Sequence, residues 1–243
     1  MNYTKPVEIC KNRKALFVIV KNEWERPAKI LQAYLKKITE AEYEIHEVTS
    51  VLPSFVFVQK DLGADSFAYR IYDKDIMIEA TNEQAAVYAV YDFLERVIGC
   101  RYYTKTEEYV PKDANLTVHF EDYSFTPILE YRQLSYVDYG DPTFAEKHKV
   151  VPSGNREDWG FWCHSFKTLV SPEEYYAEHP EYFSLYEGKR VGENGQLCLS
   201  NPEVFDVLVA NLKKHMKQNQ MQNTGRYRRM TMPHTAVVKR AGK

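Results

Sequence analysis

Six of the seven residues from Ala15 to Lys21 (ALFVIVK) are apolar, an unbroken run of strand length. Such a run has no polar face to turn toward water, so it fits a strand buried on both sides within a layered structure. The period then changes. Pro27 stands where the first turn of a helix would be, and Ile30, Leu31, Tyr34, Leu35 and Ile38 recur as one apolar helical stripe. A buried strand followed at once by an amphipathic helix predicts an α/β layer structure. The next 80 or so residues agree. Tyr43–Val48 and Ser54–Gln59 read as strands, and Ser66–Tyr72 and Asp75–Ala80 flank Asp73-Lys74 as a hairpin would. Thr81 and Gln84 fit a capping box, Ala86, Val90, Phe93, Leu94 and Val97 form a stripe, and Gly99 closes that helix. Short strands at Cys100–Tyr103 and Leu116–Phe120 complete an α/β domain expected over residues 1–120.

A second region begins after Phe120. Ile128–Tyr136 (ILEYRQLSY) reads as one strand, followed by a long loop carrying Asp138, Gly140, Asp141 and Pro142. Ser171-Pro172-Glu173-Glu174 is a helix start with Ser at the cap and Pro at the first position. Asn201-Pro202-Glu203 repeats the logic, with Val204, Leu208 and Leu212 as the buried face. One strand and two helices cannot close a barrel, so residues 121–219 read as an incomplete segment. The whole chain has 243 residues, enough for one large domain or two small ones.

Composition narrows the function classes. The apolar fraction of 44% and charged fraction of 27% are those of a soluble globular protein, and no run approaches the eighteen apolar residues of a membrane span. The first ten residues carry charges and no apolar core, so no signal peptide is expected as written. A net charge of −2 names no partner. Cys10, Cys100, Cys163 and Cys198 lie far apart without a CxxC spacing, which argues against a metal knot. No cofactor and no metal are expected.

No phosphate-cradling glycine loop, HExxH or GxSxG is present, leaving three local features. Trp159–Tyr186 holds nine aromatics in 28 residues. Rings fill cores, and they also stack on the C–H faces of sugars. Trp159 and Trp162, beside Gly160 on a loop, are the candidate platforms. Arg132 lies inside an apolar stretch, where its guanidinium must find partners. It either pairs with Glu130 or another acid, or grips ligand hydroxyls or a carboxylate at the base of a pocket. His164 is a candidate for a ligand hydrogen bond. Its neighbour Cys163 makes no catalytic dyad with it, because adjacent side chains on extended chain point apart. Asp138, Asp141, Glu157 and Asp158 sit in loops, where carboxylates are available for acid–base work or simply solvated.

Residues 15–120, with ALFVIVK, the hairpin FAYRIYDKDIMIEA and the helix EQAAVYAVYDFLERVIGCRYY, resemble the small α/β domain that precedes the catalytic barrel in bacterial α-glucuronidases and β-hexosaminidases. Pro127–Gln133 (PILEYRQ) is similar to the first barrel strand of such enzymes. WCHSF, SPEEYYAEHPEYFSLYEGKR and QLCLSNPEV are similar to an uncharacterised bacterial domain family found directly after that α/β domain. The resemblance implies a (β/α)-barrel-like segment and a parent protein that hydrolyses O-glycosidic bonds of complex glycans. It implies sugar contacts from Arg132 and His164, and catalytic carboxylates on later strands that this chain lacks. The expected partner is carbohydrate. Nucleic acid is not expected, and relatives of this kind act outside the cytoplasm. A non-catalytic carbohydrate-binding or scaffold module is the alternative.

The end of the chain is anomalous. After Asp206 the last 37 residues hold nine Lys or Arg and no acid. From Gln218 the apolar periodicity is also lost. A basic tail suits nucleic acid or anionic lipid, yet a shifted reading frame accounts for the same facts. Permitted codons for Asn219 onward, read one base out, encode PDAEYWSVSQND, which is similar to the family's own continuation. Residues 220–243 are therefore expected to be an out-of-frame tail, and the chain a truncated fragment inactive as a hydrolase.

Overall fold

The structure, a computed structural model, describes residues 6–48, 52–129, 131–153, 165–193 and 195–222, and its contacts divide into two units, 1–154 and 155–243. In the first unit the apolar run becomes β1 (Val18–Val20), all three residues buried. Beside it lie β2 (Ile45–His46), β3 (Ser54–Gln59), β4 (Phe67–Tyr72), β5 (Asp75–Ala80) and β6 (Tyr123–Phe125). They form one mixed sheet in the order β6-β4-β5-β3-β1-β2. Strands β2, β1, β3 and β5 are parallel, with Ile19 opposite Ile45 and Phe55 opposite Ile76. Strand β4 returns antiparallel to β5 through the expected two-residue turn, in which Asp73 takes a left-handed φ of 56°.

Alternation along the strands sets the core. Ile19, Phe55, Phe57, Tyr69, Ile76 and Ile78 turn to the face that carries α1 (Glu25–Thr39) and α2 (Glu83–Phe93). Val18, Val20 and Val56 turn to the other face and form a small cluster with Val58 and Met77. Leu31, Tyr34, Leu35 and Ile38 are the buried stripe of α1, as their spacing predicts, and Ile30 is only half-buried.

Helix α2 departs from its expected start. Its cap is Asn82, whose side chain accepts a hydrogen bond from the Ala85 N–H, whereas Thr81 donates its hydroxyl to the Gly63 carbonyl. The helix continues as a π turn, Leu94–Ile98, and stops where Gly99 adopts a φ of 98°. Every residue from Ala85 to Phe93 is buried, so α2 has no solvated face. One side rests on the sheet and α1. The other is covered by α3 (Pro142–Lys147), which follows a 3-10 turn at Val137–Gly140.

That cover corrects the expected boundary. The first unit does not close near Phe120 but extends to Gly154, because β6 and α3 both pack onto the α/β layer. The strand expected over Ile128–Tyr136 is also corrected. Among the described residues of that stretch only Gln133 pairs, in one parallel bridge to Val151, and Ile128, Tyr136 and Val137 are largely exposed. Of the expected barrel, the described residues form this single bridge and no closed set of strands.

The described residues of the second unit are mostly short elements followed by a long helix. α4 (Phe166–Leu169) and α5 (Pro172–Tyr175) precede a hairpin of Leu185–Tyr186 with Lys189–Arg190, and α6 (Pro202–Gln222) follows. Ser171 caps α5 by accepting from the Glu174 N–H, as predicted, although that helix is a single turn. Val170, Tyr182, Phe183, Leu197 and Val204 are its core. Asn211 ties α6 down by donating to the Leu169 carbonyl at 2.7 Å and the Tyr175 hydroxyl at 2.9 Å. Among the described residues no helix is long and apolar enough to cross a membrane.

Candidate functional site

Arg132 is the one candidate sugar contact that lies within the described residues; Trp159, Trp162 and His164 lie outside them, as do Glu157, Asp158 and Cys163. Its side chain is 14% exposed. Nε donates to the Lys149 carbonyl and Nη1 to the Leu129 carbonyl, each at 2.8 Å, and Nη2 reaches Asp65 Oδ2 at 3.2 Å. The guanidinium carbon stands 6.0 Å from the centre of the Tyr88 ring. This geometry satisfies the demand that a buried guanidinium find partners. The acid it uses is Asp65, 67 positions earlier, whereas Glu130 lies outside the described residues.

Arg132 is one of several charged side chains that bind residues 129–153 to the α/β layer. Lys149 Nζ lies 2.9 Å from Asp92 Oδ1, and Asp92, 1% exposed, also accepts from Arg96 Nε and the Tyr69 hydroxyl, each at 3.1 Å. Lys147 Nζ lies 2.7 Å from Glu108 Oε2. The same ammonium faces three tyrosine rings, 4.9 Å from the centre of Tyr102, 5.9 Å from Tyr34 and 6.0 Å from Tyr91. Those rings meet one another edge to face, so their negative faces enclose the cation. Burial alone would raise the Glu108 carboxyl, but hydrogen bonds from Lys147, Tyr34 and Lys37 outweigh it and hold the group at about 2.

Between the two lysines, His148 packs its ring on Phe144 and Tyr139, with centres 4.5 and 5.5 Å away. Its Nε2 is buried without a hydrogen-bond partner, and burial lowers the imidazole below its ordinary value. The loop carboxylates divide. Asp141 caps α3 by accepting from the Phe144 N–H at 2.8 Å, a structural duty, and Asp138 is half-buried.

The aromatic stretch resolves in part as core. Tyr182 and Phe183 are buried, with Tyr175 and Tyr176 packed against them, while Phe166 and Tyr186 are exposed. Gly192 makes the packing possible, since a Cβ there would stand 2.7 Å from the Tyr176 ring. The three described cysteines, Cys10, Cys100 and Cys198, are free thiols, and burial pushes Cys100 up to about 12.

Sequence reasoning missed Asp65, Asp92, Glu108 and Lys147. Each is a charged residue with a partner distant in sequence, and only the all-round apolarity of α2 signalled that something must cover it.

A family model described as a domain of unknown function, DUF4838, matches residues 102–224. No curated protein matches the sequence. Among solved structures, a GH20 exo-β-N-acetylglucosaminidase from Vibrio harveyi in complex with N-acetylglucosamine aligns at 13% identity and a TM-score of 0.37, covering 53% of this chain and 18% of that one. A mutant Streptomyces plicatus β-hexosaminidase in complex with product (GlcNAc) aligns at 12% identity and a TM-score of 0.38, covering 54% of this chain and 25% of that one. The chain thus spans a quarter or less of those proteins, and likeness at this level carries no argument about activity.

Proposed function

The chain belongs to the DUF4838 domain family, and from that premise we propose that it is part of a carbohydrate-active protein whose parent hydrolyses O-glycosidic bonds of complex glycans. What supports this reading is the block from Phe67 to Tyr103. There a hairpin, a buried helix and a Gly99 stop follow in the order, and with the residues, that resemble the domain preceding glycosidase barrels. Sugar contacts fall to Arg132, His164, Trp159 and Trp162, with rings stacking on C–H faces and charged groups binding hydroxyls. Whether the parent is of the α-glucuronidase or the hexosaminidase type depends on its substrate's charge, and such a parent acts outside the cytoplasm.

One observation favours the second reading, a non-catalytic carbohydrate-binding or scaffold module. Arg132, held in place by Asp65 and two carbonyls, would with Trp159, Trp162 and His164 bind glycan without cleaving it. A glycan array with this chain, beside a hydrolysis assay of a full-length homologue, separates the two. Turnover by the homologue supports the enzyme; binding without turnover selects the module, and neither binding nor turnover removes both. The tail over 220–243 is proposed to be out of frame. Resequencing decides it, since DNA that fails to continue PDAEYWSVSQND after the Asn219 codon overturns the idea.

A further inference from the structure

A groove of about 580 Å3 opens on the first unit between α1 and α3, within the range of small-molecule clefts. Ile30 and Ala33 of α1 form an apolar wall, Thr143 stands at the rim, and Tyr91 and Glu146 line the interior. The last two are 3% and 8% exposed. Arg26, also on α1, places Nη2 2.5 Å from Glu146 Oε2, and Gln84 Nε2 lies 3.3 Å from Oε1.

This pair is a poor device for stability. Desolvating a carboxylate costs several kcal/mol, while a half-exposed ion pair returns about 0–1. An apolar residue at position 146 would cover α2 equally well. The pair suits a ligand better. A guanidinium beside a carboxylate offers a donor and an acceptor side by side, matching two neighbouring hydroxyls of which one accepts and the other donates. Burial, then the Glu146 carboxylate, pushes the Tyr91 phenol up to about 12, so it keeps its proton and remains a donor. The wall of Ile30 and Ala33 fits the C–H face of a ring. Charge sets the class. Glu25, Glu83 and Glu146 against Arg26 and Lys29 leave the lining at −1, which disfavours an anionic sugar.

We infer that this groove binds a neutral pyranose unit of a glycan, through Arg26, Glu146 and Tyr91 against the Ile30–Ala33 wall. The inference rests on the carbohydrate reading for its ligand class, and uses none of Arg132, His164, Trp159 or Trp162.

The test is amide shift mapping by NMR on the full chain, titrated with cellobiose, maltose and chitobiose, and with glucuronic acid as the anionic arm. The expected result is saturable shifts at Arg26–Tyr34, Tyr91 and Thr143–Glu146 with at least one neutral sugar. Ala33→Arg, at an exposed helical position, should weaken them about tenfold or more while leaving the melting temperature in place. Should that variant misfold, Thr143→Arg obstructs the opposite, exposed wall. Shifts confined to the neighbourhood of Arg132 would overturn the groove and leave the carbohydrate reading standing. Absence of any shift at millimolar sugar, or tighter binding of glucuronic acid, would also overturn it. The carbohydrate reading is then judged by its own array.

Discussion

Asp92 sets the terms at the scale of single residues. Its carboxylate is buried and satisfied by Lys149, Arg96 and the Tyr69 hydroxyl. Removing it leaves two cations and a phenol without their acceptor, so Asp92→Ala should cost about 3–5 kcal/mol in urea unfolding. Lys149→Met removes one of three partners and fills similar volume, and should cost about 1–3 kcal/mol. An inverted order of these two variants would show that Asp92 is not the hub. Glu108 makes the matching pH prediction. Its carboxyl lies at about 2 in the fold against an ordinary 4.5, so its contribution is complete above about 4.5 and is lost as pH falls toward 2. Glu108→Gln should flatten the acid limb of a pH–stability curve within that window. His148 acts in a higher one. Its lowered value means the fold resists protonating it, so stability declines as pH falls below about 6.5, and His148→Phe should remove that decline.

Among the elements, α2 and its cover carry the consequences. A helix buried on all sides needs both the sheet and α3, so a fragment of residues 1–154 should melt cooperatively while 1–120 should not. Limited proteolysis checks this: a resistant core ending near Gly154 agrees, and one ending near Phe120 contradicts it. The stop of α2 gives a smaller effect. Gly99 has φ of 98° with open space where a Cβ would go, so Gly99→Ala should cost about 1–2 kcal/mol from backbone conformation alone. Local pattern made much of this legible. Strands Ser54–Gln59 and Asp75–Ala80 have the bounds that periodicity predicts, as does the turn at Asp73-Lys74. The cap of α2 was misplaced by one residue because Thr81 and Asn82 are both capping types, and tertiary contact with Gly63 decided between them. Ile128–Tyr136 has strand composition, but composition cannot supply a neighbouring strand, and without one the described backbone there pairs only at Gln133. Arg132 was legible as a buried cation needing a partner. Asp65 as that partner was not, because nothing local links positions 67 apart.

For the whole molecule, the order of elements along the chain has a consequence in time. Helix α2 ends at Phe93, and the segment that covers its second face begins at Pro142. At a synthesis rate of about 5–20 residues per second, roughly 50 residues separate them by about 3–10 seconds. Throughout that interval the nascent chain carries an apolar helix with one side bare. Ribosome-arrested chains ending before α3 has emerged should therefore be cut readily at α2 by protease, and longer arrested chains should be protected. Timing of translation between codons 93 and 154 would then govern how much of this protein escapes aggregation, since slowing there prolongs exposure of the part that can least tolerate it.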